Sequence, residues 1–229
     1  VCRARAYAGV RNYRRALADL TRAIRMQPKD AELYIERAKL YLNRDNLKRA
    51  LADLTRSLSI KPSARGYRER SAVHAELGDF DRALADVDAA LKLQPASSEL
   101  YLTRGQLYTR YEDFKRAEQL ADAPVIDALA PGRDIVLAVS DFEFALKLSA
   151  DDPVAYYGLA VARRRVAADD VTGQPARYLD ALKSVDQALR LKSDYLDALL
   201  LKADILLLSE DYDGAVTVSD QAVEIAPKD

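Results

Sequence analysis

Four segments of the chain end in the same way: YRRALADLTRAIRMQP at Pro28, LKRALADLTRSLSIKP at Pro62, FDRALADVDAALKLQP at Pro95 and YDGAVTVSDQAVEIAP at Pro227. The first three prolines lie 34 and 33 residues apart, and self-similarity at such a period restricts a chain to stacked supersecondary modules. Within each string apolar and small residues recur at helical intervals, as at Leu47, Ala50, Leu51, Leu54 and Leu58, which makes one buried stripe on an amphipathic helix. The proline then ends that helix. Ahead of the strings lie further amphipathic segments, ELYIERAKLYLNRDN before Leu47, GYRERSAVHAELGD before Phe80 and ELYLTRGQLYTRYED before Phe114. The repeating module is therefore helix, polar turn, helix, proline.

Composition agrees with a mainly helical fold. Only eight glycines and eight prolines occur among 229 residues, and Ala, Leu, Arg and Asp dominate. The 49% hydrophobic content is enough for a continuous core.

The period and the signature positions resemble the tetratricopeptide repeat (TPR), over essentially the whole chain. Aromatics open the first helix at Tyr34, Tyr67, Tyr101 and Tyr156, and small residues follow four positions on, at Ala38, Ser71, Gly105 and Ala160. Tyr41, His74 and Tyr108 come next. Tyr13, Leu47, Phe80, Phe114, Tyr178 and Tyr212 then stand at the expected start of the second helix. That helix carries Ala16, Ala50, Ala83, Ala181 and Ala215, where close helix crossings leave room for little more than a methyl group. The resemblance implies an all-α, right-handed α-solenoid of about six helix-turn-helix repeats, forming one domain over 1–229. The repeats are expected at about 1–30, 31–63, 64–97, 98–152, 153–195 and 196–229. The fourth and fifth are overlong, and their extra residues are expected between the two helices, at roughly 118–137 and 167–176. The first insertion is read as carrying a short helix between Pro124 and Pro131, the second as a polar loop.

Arg3, Arg37, Arg70 and Arg104 share one place in the first helix, and Asp19, Asp53, Asp86 and Asp141 share one place in the second. Both change together in the later repeats, where Leu159 goes with Ser184 and Lys202 with Val218. This covariation among copies predicts structural ion pairs across the hairpin, Arg37 with Asp53 and Arg70 with Asp86 among them.

The residues assemble no catalytic constellation, and the chain is expected to be a non-enzyme without cofactor or metal. His74 is the only histidine and replaces a tyrosine of sister repeats, so a packed core residue is the expectation. Cys2 is the only cysteine, and no glycine-rich phosphate loop occurs. In the resembled family first helices line a concave wall. Helical spacing then points Ile35, Lys39 and Leu42, Arg68, Ala72 and Ala75, Leu102, Gln106 and Thr109, Tyr157, Val161 and Arg164, and Leu200, Asp204 and Leu207 into it. A peptide or protein partner is the expected occupant of this groove and of the insertion edge. One family subgroup grips C-terminal carboxylates with lysines and asparagines; Glu36 and Glu69 are wrong for that clamp.

Alternative readings are a regulatory or targeting region of a larger enzyme and a chaperone-like holder of peptides. Nucleic-acid binding is disfavoured because charge is divided. Through Arg116 there are 24 basic and 15 acidic residues, and after it 11 and 21, so the acidic half repels a polyanion. The same division favours head-to-tail self-association. The ends read as uncapped, which fits association or a piece of a longer chain. No apolar run reaches the ~20 residues of a membrane span. The compartment stays open between cytoplasm and, for a chain whose signal has been removed, periplasm. Arginine exceeds lysine 24 to 11, a bias that fits a bacterial source.

Ala50 tests the repeat register. Ala50→Leu is expected to cost ~1–3 kcal/mol through overpacking, and an unchanged melting temperature would refute the register.

Overall fold

The computed structural model describes residues 12–122, 133–168 and 178–226. Among these there are eleven helices and no strand, as an all-α fold requires. They are α1 (Tyr13–Met26), α2 (Ala31–Leu42), α3 (Leu47–Ile60), α4 (Ala64–Glu76), α5 (Phe80–Leu93), α6 (Ser98–Asp122), α7 (Arg133–Leu148), α8 (Pro153–Ala168), α9 (Leu179–Leu191), α10 (Leu196–Leu208) and α11 (Tyr212–Ile225). The chain divides into two compact units between Ala96 and Ser97.

In the first unit α1 packs on α2, while α2–α3 and α4–α5 form hairpins, with α3 against α4. The second unit consists of the hairpins α6–α7, α8–α9 and α10–α11, with α7 against α8 and α9 against α10. First helices also touch one another: α2 meets α4, α6 meets α8, and α8 meets α10.

Local chemistry sets the ends of these helices. Asn12, Asn46, Asp79 and Asp211 cap second helices, each side chain accepting from the backbone N–H three residues on, at 3.0–3.3 Å. Just before three of these caps the backbone turns through positive φ, at Asp45 (52°), Gly78 (76°) and Glu210 (65°). A left-handed residue there ends the first helix and reverses the chain.

Small residues then let the two helices approach. Ala16, Ala38, Ala50, Ala83 and Ala160 are wholly buried, and Ala181 and Ala215 nearly so. Polar ties secure the joins. The Tyr34 hydroxyl donates to the Pro28 carbonyl at 3.1 Å, and the buried Ser57 hydroxyl donates to the Ala31 carbonyl at 2.9 Å.

The fourth repeat departs from the expected register. Phe114 does not open a second helix: it lies within α6, which runs unbroken to Asp122, and it is 39% exposed. The physical reason is at the turn position. Glu112 stands where Gly78 supplies the left-handed residue, and Glu112 is helical and buried. The carboxylate of Asp113, at the capping place of Asp79, is instead engaged by Arg165 of α8. The second helix of this hairpin is α7, and the first insertion therefore partly extends α6. The helix expected between Pro124 and Pro131 and the loop expected near 167–176 lie outside the described residues, apart from the end of α8.

The α6–α7 hairpin also carries the bulkiest wedge in the repeat frame. Phe142 occupies the place held by Leu54 and Val87 elsewhere and is fully buried. It is accommodated by two glycines: a Cβ at Gly105 would lie 3.0 Å from the ring, and one at Gly158 only 2.5 Å. Gly158→Ala is therefore expected to destabilise by ~1–3 kcal/mol through overpacking, outweighing the ~1 kcal/mol gain in helix propensity. Urea denaturation of Gly158→Ala with and without Phe142→Leu checks this, since the second change should recover most of the loss.

Candidate functional site

Among the described residues, three hairpins close the Arg–Asp pair as a two-pronged fork. Arg37 donates through Nε and Nη2 to the two carboxylate oxygens of Asp53, both at 2.7 Å. Arg70 does the same to Asp86 at 2.8 and 2.6 Å, and Arg104 to Asp141 at 2.8 and 2.8 Å. The carboxylates are buried, with Asp53, Asp86 and Asp141 each about 5–6% exposed. They hold the Arg37 and Arg70 guanidinium pKa values above the ordinary range, against the opposing effect of burial. Aromatic rings complete the setting: Arg37 lies over Tyr34 and Tyr41, Arg70 over Tyr67 and Arg104 over Tyr101, at 5.5–5.9 Å. Where the pair is absent, other contacts appear. Arg163 reaches Ser184 Oγ at 2.8 Å, and Lys202 pairs with Asp186 at 2.8 Å. Arg3 lies outside the described residues.

The residues assigned to the wall separate into several environments. Ile35 is fully buried against Ala38, Ala50, Leu54 and Val73, so it is a core residue and not part of a wall. The cause is helical phase, because Ile35 points between successive hairpins toward Val73 of α4. Ala75 is buried for the same reason. Leu42 and Leu102 are half-buried, each leaning on the core of its own unit. Gln106 and Ala72 are exposed.

In the first unit the first helices carry a lattice of charge. Arg65 bridges Glu32 and Glu36, and Glu69 accepts from Lys39 at 3.0 Å and from Arg68 at 3.2 Å. The half-buried Glu36 carboxylate raises the Arg65 pKa above its ordinary value, with burial opposing. This lattice joins α2 to α4.

The second unit presents different chemistry. Arg164 of α8 donates to Asp204 of α10 at 2.6 Å. Leu200 and Leu207 flank Asp204 on α10 at helical spacing, so they share its face; they are 54% and 52% exposed. The half-buried Tyr157 ring packs on Tyr195, with centroids 5.2 Å apart. Burial, and then the nearby Asp197 carboxylate, raise the Tyr157 pKa, so its hydroxyl stays protonated at neutral pH. Sequence reasoning put Leu200 and Leu207 on this wall through spacing alone, but their prominence depends on which neighbouring side chains are long enough to cover them.

His74 is buried, 4.0 Å from Asp86 through Nε2, and burial lowers its pKa. Among the described residues no group of three or more His, Cys, Asp or Glu is placed to hold a metal ion, and no helix is long and apolar enough to cross a membrane.

Successive two-helix modules locked by small-residue contacts define a helical-hairpin repeat protein. Models of the tetratricopeptide repeat match residues 3–72, and residues 73–134 together with 176–229. The chain belongs to the tetratricopeptide repeat family. No curated protein matches it in sequence. Among solved structures it is similar to PilW, a widely conserved type IV pilus biogenesis factor, at 21% identity and a TM-score of 0.76, covering 99% of this chain and 91% of PilW. It also resembles YrrB, a TPR protein with an unusual peptide-binding site, at 20% identity and a TM-score of 0.60, covering 91% and 93%. MamA from Desulfovibrio magneticus RS-1 is similar at 18% identity and a TM-score of 0.65, covering 86% and 96%. These likenesses show the fold, which is that of the all-α tetratricopeptide-repeat solenoids. Proteins of this fold are generally non-catalytic scaffolds for other proteins.

The forks are expected to stabilise far more than surface pairs. A double-mutant cycle on Arg37 and Asp53, whose side chains are 17% and 9% exposed, should give a coupling of ~1–3 kcal/mol in urea denaturation. The same cycle on the exposed Lys183–Asp180 pair should stay below ~0.5 kcal/mol. Equal couplings would show that the forks are incidental.

Proposed function

We propose that this chain is a non-catalytic scaffold that holds an extended or helical segment of a partner protein on the first-helix face of α8 and α10. The observation that carries this reading is the pair of exposed leucines, Leu200 and Leu207, set about the Arg164–Asp204 bridge and beside the half-buried Tyr157. Burying the exposed half of two such leucines supplies ~1.5–3 kcal/mol of apolar association before ordering costs. The bridge and the tyrosine hydroxyl offer polar groups that set orientation.

The equivalent face of the first unit is a poorer apolar anchor. Its charged groups are already engaged with one another through Arg65, Glu36, Lys39 and Glu69. A partner approaching there meets a neutralised polar lattice, which suits a peptide backbone or a polar flank.

Charge narrows the partner further. From Ser97 onward the chain has 24 acidic and 15 basic residues. An apolar segment flanked by lysine or arginine is therefore favoured, and its association should weaken with salt. The peptide-binding site named for YrrB supports a peptide as the ligand class.

The test is affinity capture from the native host with the wild-type protein, with Leu200→Asp/Leu207→Asp and with Lys39→Ala/Arg68→Ala, analysed by mass spectrometry. Both leucines are exposed, so melting temperatures should change little. A partner retained by wild type and by the lysine–arginine variant, but weakened at least tenfold by the leucine variant, is the expected result. Identical capture by all three would dismiss this face as the docking surface.

A further inference from the structure

The outward faces of the second helices change sign along the chain. In α1 the exposed Arg14, Arg22 and Arg25 lie on the side away from the buried Ala16, Leu20 and Ile24. The place of Arg14 is held by Lys48 in α3, by Asp81 in α5 and by Asp213 in α11. That of Arg25 is held by Lys92 in α5, Lys147 in α7 and Arg190 in α9, but by Glu224 in α11. As a whole α1 has four arginines against one acidic residue, Asp19, whereas α11 has Asp213, Asp220 and Glu224 and no basic residue. These three carboxylates are exposed on the side of α11 away from the buried Ala215, Val218 and Ala222. Among the described residues, none of Arg14, Arg22, Arg25, Asp213, Asp220 and Glu224 takes part in an intramolecular ion pair. Each of the two helices therefore presents an unbalanced charged stripe to solvent.

We infer that these stripes are the two halves of a contact between copies of this chain, with α1 of one copy lying against α11 of a second. Arg14 and Arg25 are eleven residues apart, and so are Asp213 and Glu224, so each stripe spans about three turns, ~16 Å. Laid side by side, the two helices set a cation against a carboxylate at both ends, with Arg22 and Asp220 between. Like faces repel, since α11 against α11 sets carboxylate on carboxylate, and the contact therefore joins unlike faces. A polyanion would satisfy α1 alone, whereas a second copy satisfies both stripes at once. Exposed ion pairs contribute little each, and apolar neighbours add to them. Met26, 74% exposed, follows Arg25, while Val216 and Val223, 62% and 61% exposed, border the carboxylates on α11. Covering them removes apolar surface from water. The association is weak, steered by charge and sensitive to salt. It uses the outward faces of second helices and is independent of the function proposed for the first-helix face of α8 and α10.

Sedimentation velocity at about 10 mM and about 1 M salt, between which the Debye length falls from ~30 to ~3 Å, tests the contact. Wild-type protein should form dimers or larger species in a concentration-dependent way at low salt and be monomeric at high salt. Two charge reversals address the two stripes, Arg14→Glu/Arg22→Glu/Arg25→Glu on α1 and Asp213→Lys/Asp220→Lys/Glu224→Lys on α11. All six side chains are exposed, so melting temperatures should change little. Each variant alone should associate at least tenfold more weakly than wild type at low salt, and an equimolar mixture of the two should recover association. Lys92→Glu/Lys147→Glu/Arg190→Glu changes the net charge as much as the α1 variant, on the same row of the intervening helices, and should self-associate as wild type does. A wild-type monomer at low salt overturns the inference. So does association lost in only one of the two stripe variants, lost equally in the control, or not recovered by mixing.

Discussion

The structure depends on how closely the two helices of a hairpin approach. Alanine, serine or glycine at the crossing, as at Ala38 against Ala50, brings the backbones within the ~8–10 Å that such contacts allow. At that separation an arginine on the first helix can reach a carboxylate on the second with both prongs of its guanidinium, as Arg37 reaches Asp53. A larger residue at the crossing would push the helices apart and open the fork. The small residue therefore sets the spacing, and the ion pair fixes the rotation of one helix against the other.

Once that frame is set, departures from it carry the individuality of the protein. Phe142 is wider than Leu54 or Val87 in the same place, and glycines at 105 and 158 absorb the difference. His74 is smaller than Tyr41 and lines a cleft with Leu51, Arg70 and Arg82. Glu112 removes a turn, so α6 continues and Asp113 is freed from capping to meet Arg165 of α8. Each is a local change of volume or backbone preference read out by packing, since close-packed interiors transmit such changes instead of dissolving them.

The first helices show how one backbone plan supports different surfaces. In the first unit, glutamates and cations on adjacent helices, with Arg68 beside Glu69, neutralise one another, leaving a polar face. In the second unit α8 and α10 are bridged by Arg164 and Asp204, and α10 leaves Leu200 and Leu207 open to water. Covering that surface is the role we propose for a partner segment.

The sequence alone determined the repeat period, the all-α class, the positions of the small crossing residues and the alignment of Arg37, Arg70 and Arg104 with Asp53, Asp86 and Asp141. These are legible because periodicity and residue size are local properties that each copy states again. Tertiary structure alone decided that Ile35 belongs to the core, that Phe114 lies inside a long helix, and that Lys39 and Arg68 are tied to Glu69 while Leu200 and Leu207 stay open. Those outcomes turn on which helix packs over which face and on how far neighbouring side chains reach. A pattern read along one helix carries no information about the surface that will come to lie against it.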